Sequence, residues 1–199
     1  LALITQDIEC GMPHTRPGKI CLPTPQPSLE LLVHELVHIW QRNDQGSWDN
    51  WLSQAWNCAP ITTPDAHTRD DFRERFNPDT FYAGWYAYRQ EEKGREKYIL
   101  PLPILKSTAV KITHTDIKFF NVQRNAQGNH TLTEITPKTP FAADIPVELK
   151  GHQLEHPFET AAYIIAQWYN VGTPKTTDQL INTITPENIK KQIGEIVVH

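Results

Sequence analysis

SLELLVHELVHIWQ, residues 28–41, is the most regular segment of this 199-residue chain. Its apolar residues recur at three- and four-residue steps, the spacing of one face of an α-helix. They are Leu29, Leu32, Val33, Leu36, Val37 and Trp40. Prolines at 23, 25 and 27 break any regular structure before it, and Ser28 is a favourable N-cap. The segment therefore predicts a core-facing helix from about Leu29 to Arg42.

Length and charge limit the classes of protein to which this chain can belong. A chain of 199 residues can bury a core of its own, so we expect a single domain over residues 1–199. The net charge is −4 and Lys and Arg form no basic run, which argues against a nucleic-acid partner. No apolar stretch reaches the roughly 20 residues needed for a membrane span. The oligomeric state stays open.

The cysteines leave the compartment undecided. Cys10, Cys21 and Cys58 are too few for a disulfide scaffold, although Cys10 and Cys21 flank a loop rich in Gly and Pro that could bring them together. Both a secreted and a cytoplasmic location fit this composition.

The rest of the chain predicts an α+β fold with a small antiparallel sheet and a second ligand-bearing helix. Residues 2–8 and 18–22 have the pattern of a hairpin. An irregular, aromatic-rich insert is expected at about 43–105, with short helices near 48–56 and 68–76. Alternating segments predict strands at 108–114, 116–124 and 129–137, with a turn at 125–128. Helical spacing returns within residues 152–170, where Pro157 suits the first turn of a helix, and a final amphipathic helix is expected from Thr185-Pro186 onward.

His34 and His38 carry the chemical signal of the first helix. Residues four apart lie on one helix face with Cβ atoms about 6 Å apart, so both imidazoles can bind one ion. Glu35 then lies beside that ion rather than on it. A carboxylate in this position can take a proton from a metal-activated water and pass it to a leaving amine. We therefore interpret the two histidines as ligands and Glu35 as the general base.

HELVH resembles the HExxH signature of the zincin metallopeptidases, in its letters and in its apolar helical setting. The resemblance implies a zincin-like domain with an active-site helix, bound Zn²⁺, and a peptide or protein substrate. It covers about eight residues directly. The metzincin form is excluded, because the residues after His38 contain neither the glycine nor the third histidine of that branch.

A resemblance to glutamate zincins supplies the third ligand. Several of those families carry a glutamate in a Glu-x-x-Ala-like helical pattern, and HPFETAAYIIA, residues 156–166, is similar. It implies Glu159 as the ligand. Glu155 and His156 remain alternatives, since both have suitable donor atoms just before Pro157.

An oxyanion formed during hydrolysis needs a donor besides the metal. The candidates are Tyr82, Tyr86, Tyr163, His152 and His156, of which we single out Tyr82 and Tyr163. Asn77-Pro78-Asp79-Thr80 is a turn sequence that either presents the aromatic residues after it to a cleft or caps a short helix beside core rings.

Two other interpretations of the same residues stay open. HELVH could be a buried helix whose histidines bond to backbone. The domain could also bind zinc without catalysis and serve a structural or protein-interaction role, for which its tryptophan-rich middle is suited.

Overall fold

The computed structural model describes residues 1–62, 73–92, 94–106, 115–124, 130–136 and 154–169. These residues form α-helices and two β-sheets, which confirms the predicted α+β class. The helices are α1 (Leu29–Asn43), α2 (Gln45–Trp56) and α3 (Pro157–Tyr169). The strands are β1 (Ala2–Leu3), β2 (His14–Arg16), β3 (Lys19–Leu22), β4 (Cys58–Ile61), β5 (Trp85–Glu92), β6 (Arg95–Leu105), β7 (Thr115–Arg124) and β8 (His130–Ile135). Within the described ranges, no helix combines the length and hydropathy that crossing a membrane requires.

The described chain forms two compact units. The first comprises Leu1–Gln45 and α3 from Ala161 onward, and the second comprises Gly46–Thr160. The first turn of α3 thus belongs to the second unit and its remaining turns belong to the first. The assignment of all 199 residues to one domain stays a prediction.

Helix α1 begins where its sequence predicts. The Ser28 hydroxyl accepts a hydrogen bond from the Leu31 backbone N–H at 3.1 Å and so satisfies one of the N-terminal donors of the helix. Leu32, Val33 and Val37 are fully or almost fully buried. The apolar stripe of the sequence is therefore the buried face of α1, and His34, Glu35 and His38 are buried along with it.

The small sheet of the first unit has the order β1-β3-β2, which differs from the predicted hairpin of residues 2–8 and 18–22. Strand β1 runs parallel to β3, and the antiparallel partner of β3 is β2. The reason lies in Pro17-Gly18, which connects the paired residues Arg16 and Lys19 as a two-residue turn. Gly18 has φ +67°, a conformation that favours glycine. This tight turn pairs β3 with the residues just before it.

The second unit contains a five-stranded antiparallel sheet in sequence order, β4-β5-β6-β7-β8. Its core cluster comprises Trp85, Ala87, Leu100, Leu102, Phe120 and Val122. These residues alternate along β5, β6 and β7, as expected for one buried sheet face. Strands β7 and β8 correspond to two of the predicted alternating segments.

The stretch expected to be irregular, 43–105, contains α2, which corresponds to the short helix predicted near 48–56, and three strands of this sheet that were not predicted. Strand β6 was not predicted from the sequence because Pro101 and Pro103 lie within it, and proline is a poor strand residue. The pairing of β6 with β5 ends at Ile99, whereas its pairing with β7 continues to Leu105. Both prolines therefore lie beyond the end of the β5 pairing, where β5 offers no carbonyl that their missing N–H groups would have to reach. The sheet tolerates them for that reason.

Several other expectations concern residues outside the described ranges. They are the strand at 108–114, the turn at 125–128, the segment after Pro186 and most of the helix near 68–76. At the end of that last stretch, Glu74 forms an isolated bridge with Ile104 rather than a helical turn. None of Cys10, Cys21 and Cys58 is in a disulfide, so the pairing considered for Cys10 and Cys21 does not form.

Candidate metal centre

His34 and His38 face each other on the buried side of α1. Their Nε2 atoms are 3.0 Å apart, and the rings are nearly perpendicular, with centroids separated by 4.6 Å. Two ligands of a tetrahedral zinc ion, each about 2.0–2.1 Å from the metal, lie about 3.3 Å from each other. The spacing of the two nitrogens is therefore close to that of two ligands of one ion.

Gln41 fixes the tautomer of His38. The Gln41 side-chain oxygen lies 2.7 Å from His38 Nδ1, and an amide oxygen only accepts hydrogen bonds. Nδ1 of His38 therefore carries the proton, and its Nε2 has a lone pair directed at His34. This is the arrangement that a metal-binding histidine requires, with the outer nitrogen held by a second residue.

Glu159, in the first turn of α3, joins the two histidines. The potential ligand atoms of His34, His38 and Glu159 all lie within 4.8 Å of one another, and all three side chains are buried. The neighbouring Phe158 is fully buried and holds this turn through ring contacts with Trp48 and Tyr86. The chain thus brings together the three residues that the sequence predicted as ligands.

His156, considered from the sequence as an alternative ligand, forms hydrogen bonds to the backbone through both ring nitrogens. Its Nδ1 accepts a hydrogen bond from the Phe158 N–H at 3.1 Å, and its Nε2 donates to the Gly84 carbonyl at 3.2 Å. The backbone carbonyl of His156 accepts from the Thr160 N–H. Both ring nitrogens are therefore engaged in hydrogen bonds, and the bond from the Phe158 N–H makes His156 the N-cap of α3.

Glu155 is paired with Arg75. The Arg75 Nη2 atom lies 2.6 and 2.7 Å from the two carboxylate oxygens, and both side chains are almost completely buried. Burial and, to a smaller extent, the charge of Glu159 raise the pKa of Glu155 to about 7, against the lowering effect of Arg75. Its carboxylate is held by the guanidinium, whereas Glu159 receives a hydrogen bond from the neutral amide of Asn77 at 2.7 Å.

The predicted catalytic residues lie in different surroundings. Glu35 is buried on α1, one residue from His34. The Tyr163 ring packs on the His34 ring with centroids 4.4 Å apart. Tyr82, in a short 3₁₀ helix, contacts Phe158 with centroids 6.4 Å apart. Tyr86 donates a hydrogen bond to Asp49, and His152 lies outside the described residues. Tyr163 is thus an oxyanion candidate in ring contact with a predicted ligand.

The chemistry of this cluster fits a divalent transition metal. Two imidazoles and one carboxylate form the donor set of many catalytic zinc sites, which keep a fourth position for water. The Glu159 carboxylate is buried and accepts a hydrogen bond from the neutral amide of Asn77. A cation bound by His34, His38 and Glu159 would balance the charge of this carboxylate, which lowers the free-energy cost of burying it.

Sequence reasoning missed the residues around these ligands. Gln41 was detectable, because it follows His38 by three positions on the same helix. Arg75 and Asn77 were not, since they approach Glu155 and Glu159 from about 80 residues away along the chain. A ligating histidine usually donates its other N–H to a carboxylate or carbonyl, and the sequence offers Asp70, Asp116 and Asp144 for this without ranking them. Asp116 is half exposed and pairs with Lys106 at 2.7 Å. Asp70 and Asp144 lie outside the described residues.

Comparison of the chain with protein-family models, with curated proteins and with solved structures yields no match in any of the three. The functional interpretation therefore depends on the residues and their geometry.

Proposed function

We propose that this chain is a zinc-dependent peptidase in which His34, His38 and Glu159 hold the metal. The observation that carries the proposal is the convergence of three buried ligand groups within 4.8 Å, with Glu35 buried beside the first of them. Packing alone does not explain why the apolar helix α1 buries His34, His38 and Glu35 together. Burying polar groups costs free energy unless they are paired.

The zinc ion, when bound, would polarise the scissile carbonyl and lower the pKa of a water ligand to about 7. Glu35 takes the proton of the attacking water and passes it to the leaving amine, which converts a poor leaving group into a neutral one. Glu35 is buried in α1 directly after the ligand His34 in sequence, and this placement supports the role.

Tyr163 is the residue that we propose for the oxyanion. Its ring packs on that of the ligand His34, which holds it beside the metal site, and a phenol O–H is a suitable donor to a developing negative charge. Tyr82 contacts Phe158, and our choice of Tyr163 rests on its ring contact with His34.

The peptidase proposal is tested with peptides and a chelator. We expect zinc-loaded protein to cleave members of a peptide mixture of defined sequence, with new amino termini detected by mass spectrometry. 1,10-Phenanthroline should stop the cleavage, and added Zn²⁺ should restore it, because the ligands remain in place when the ion is removed. Cleavage that persists in the presence of the chelator would contradict a zinc mechanism.

A further inference from the structure

The carboxylate of Glu159 lies at the end of a buried series of polar side chains. The series begins at β6, where the Pro103 carbonyl accepts a hydrogen bond from the Arg75 N–H at 2.7 Å. The Arg75 side chain donates hydrogen bonds to both carboxylate oxygens of Glu155. Asn77 then donates to Oε1 of Glu155 and, at 2.7 Å, to Oε1 of Glu159. The sheet is in this way linked to the first turn of α3.

The orientation of the Asn77 amide is determined by its own neighbours. Its Oδ1 accepts a hydrogen bond from the Asp79 N–H at 2.9 Å, within the turn that follows. The NH₂ group must then face the two carboxylates, and each of its protons is directed at one of them. Asn77 is buried, so water competes little for these bonds. A rotation of the Glu159 carboxylate would break one of them.

We propose that Asn77, held by Glu155 and Arg75, is a positioning residue that orients the Glu159 carboxylate for metal binding. This inference rests on the proposed metal site and gives Asn77, which the sequence identified only as part of a turn, a specific task. Residues that orient a ligand typically contribute about 10- to 100-fold to metal affinity, because an unrestrained ligand loses conformational freedom when the ion binds. The competing explanation is a brace that stabilises α3 without influencing the ligand.

A double-mutant cycle separates these explanations. The dissociation constant for Zn²⁺ is measured by competition with a chromophoric chelator for the wild-type protein, Asn77→Leu, Glu159→Gln and the double variant. We expect Asn77→Leu to weaken binding by about 10- to 100-fold in the wild-type background. In the Glu159→Gln background it should have almost no effect, because the group through which Asn77 acts is gone.

Equal losses in the two backgrounds would overturn the positioning role, as would wild-type affinity in Asn77→Leu. Asn50→Leu is the matched control, since it makes the same change at an exposed position of α2 and should leave Zn²⁺ affinity unchanged. If Asn77→Leu does not fold, as judged by circular dichroism, Asn77→Ala replaces it in the same cycle with the same expected result.

The cycle also keeps two failures apart. Wild-type protein that binds no Zn²⁺ would overturn the metal site and this inference with it. Wild-type protein that binds Zn²⁺ with equal losses in both backgrounds would overturn only the role of Asn77. The visible spectrum of the Co²⁺-loaded protein gives a second readout, because a displaced carboxylate should change the ligand-field bands of Asn77→Leu and leave those of Asn50→Leu as in the wild type.

Discussion

Glu35→Gln is expected to lower the rate of peptide hydrolysis by about 100- to 10,000-fold while zinc remains bound. Glutamine has nearly the same size but cannot accept a proton at neutral pH. Because Glu35 lies beside the proposed ligand His34 and outside the cluster of His34, His38 and Glu159, the metal should keep its three protein ligands. The measurement pairs single-turnover peptide cleavage with zinc content of the same sample.

The same variant tests the non-catalytic alternative. Glu30→Gln makes an identical change in the first turn of α1 and should leave both rate and zinc content unchanged. A domain that binds zinc only for structure or interaction would show no hydrolysis in the wild type and no loss of zinc in either variant. Wild-type hydrolysis that survives in Glu35→Gln would contradict the assignment of the general base.

Glu159→Gln is expected to weaken zinc binding by more than about 100-fold, above what loss of a supporting hydrogen bond costs. A neutral amide is a poorer zinc ligand than a carboxylate, and it removes the negative charge that favours the cation. His38→Ala should have at least as large an effect, since it deletes an imidazole whose lone pair Gln41 orients. Both are measured as the dissociation constant for Zn²⁺.

Glu35→Gln and Glu159→Gln control each other, because the substitution is the same and both positions are buried. We expect zinc to remain in the first variant and to be lost from the second. Retention of wild-type affinity in Glu159→Gln would show that another residue provides the third protein ligand.

The parts of the fold that the sequence predicts are those with a local cause. The cap at Ser28 and the apolar period define α1, and Pro157 with helical spacing defines α3. Strands β7 and β8 follow from alternation. Strand β6 was missed because Pro101 and Pro103 are ordinarily poor strand residues, and only the end of the β5 partner explains why they are tolerated.

The candidate site divides in the same way. His34 and His38 share a face because the helix repeat requires it, so five letters of sequence were sufficient. Glu159 came from a family-like pattern, and its approach to the histidines depends on tertiary structure. Asn77 and Arg75 carry no sequence signal of their task, because it arises from contacts with Glu155 and Glu159 that only the folded chain creates.

The claim on which everything else depends is that His34, His38 and Glu159 hold one zinc ion. Zinc K-edge X-ray absorption of purified, dialysed protein, combined with elemental analysis, tests it directly. We predict one zinc ion per chain in a shell of nitrogen and oxygen atoms at about 2.0–2.1 Å, with the outer-shell signature of two imidazoles. A protein without zinc above background, or a sulfur shell at about 2.3 Å from cysteine ligands, would contradict it.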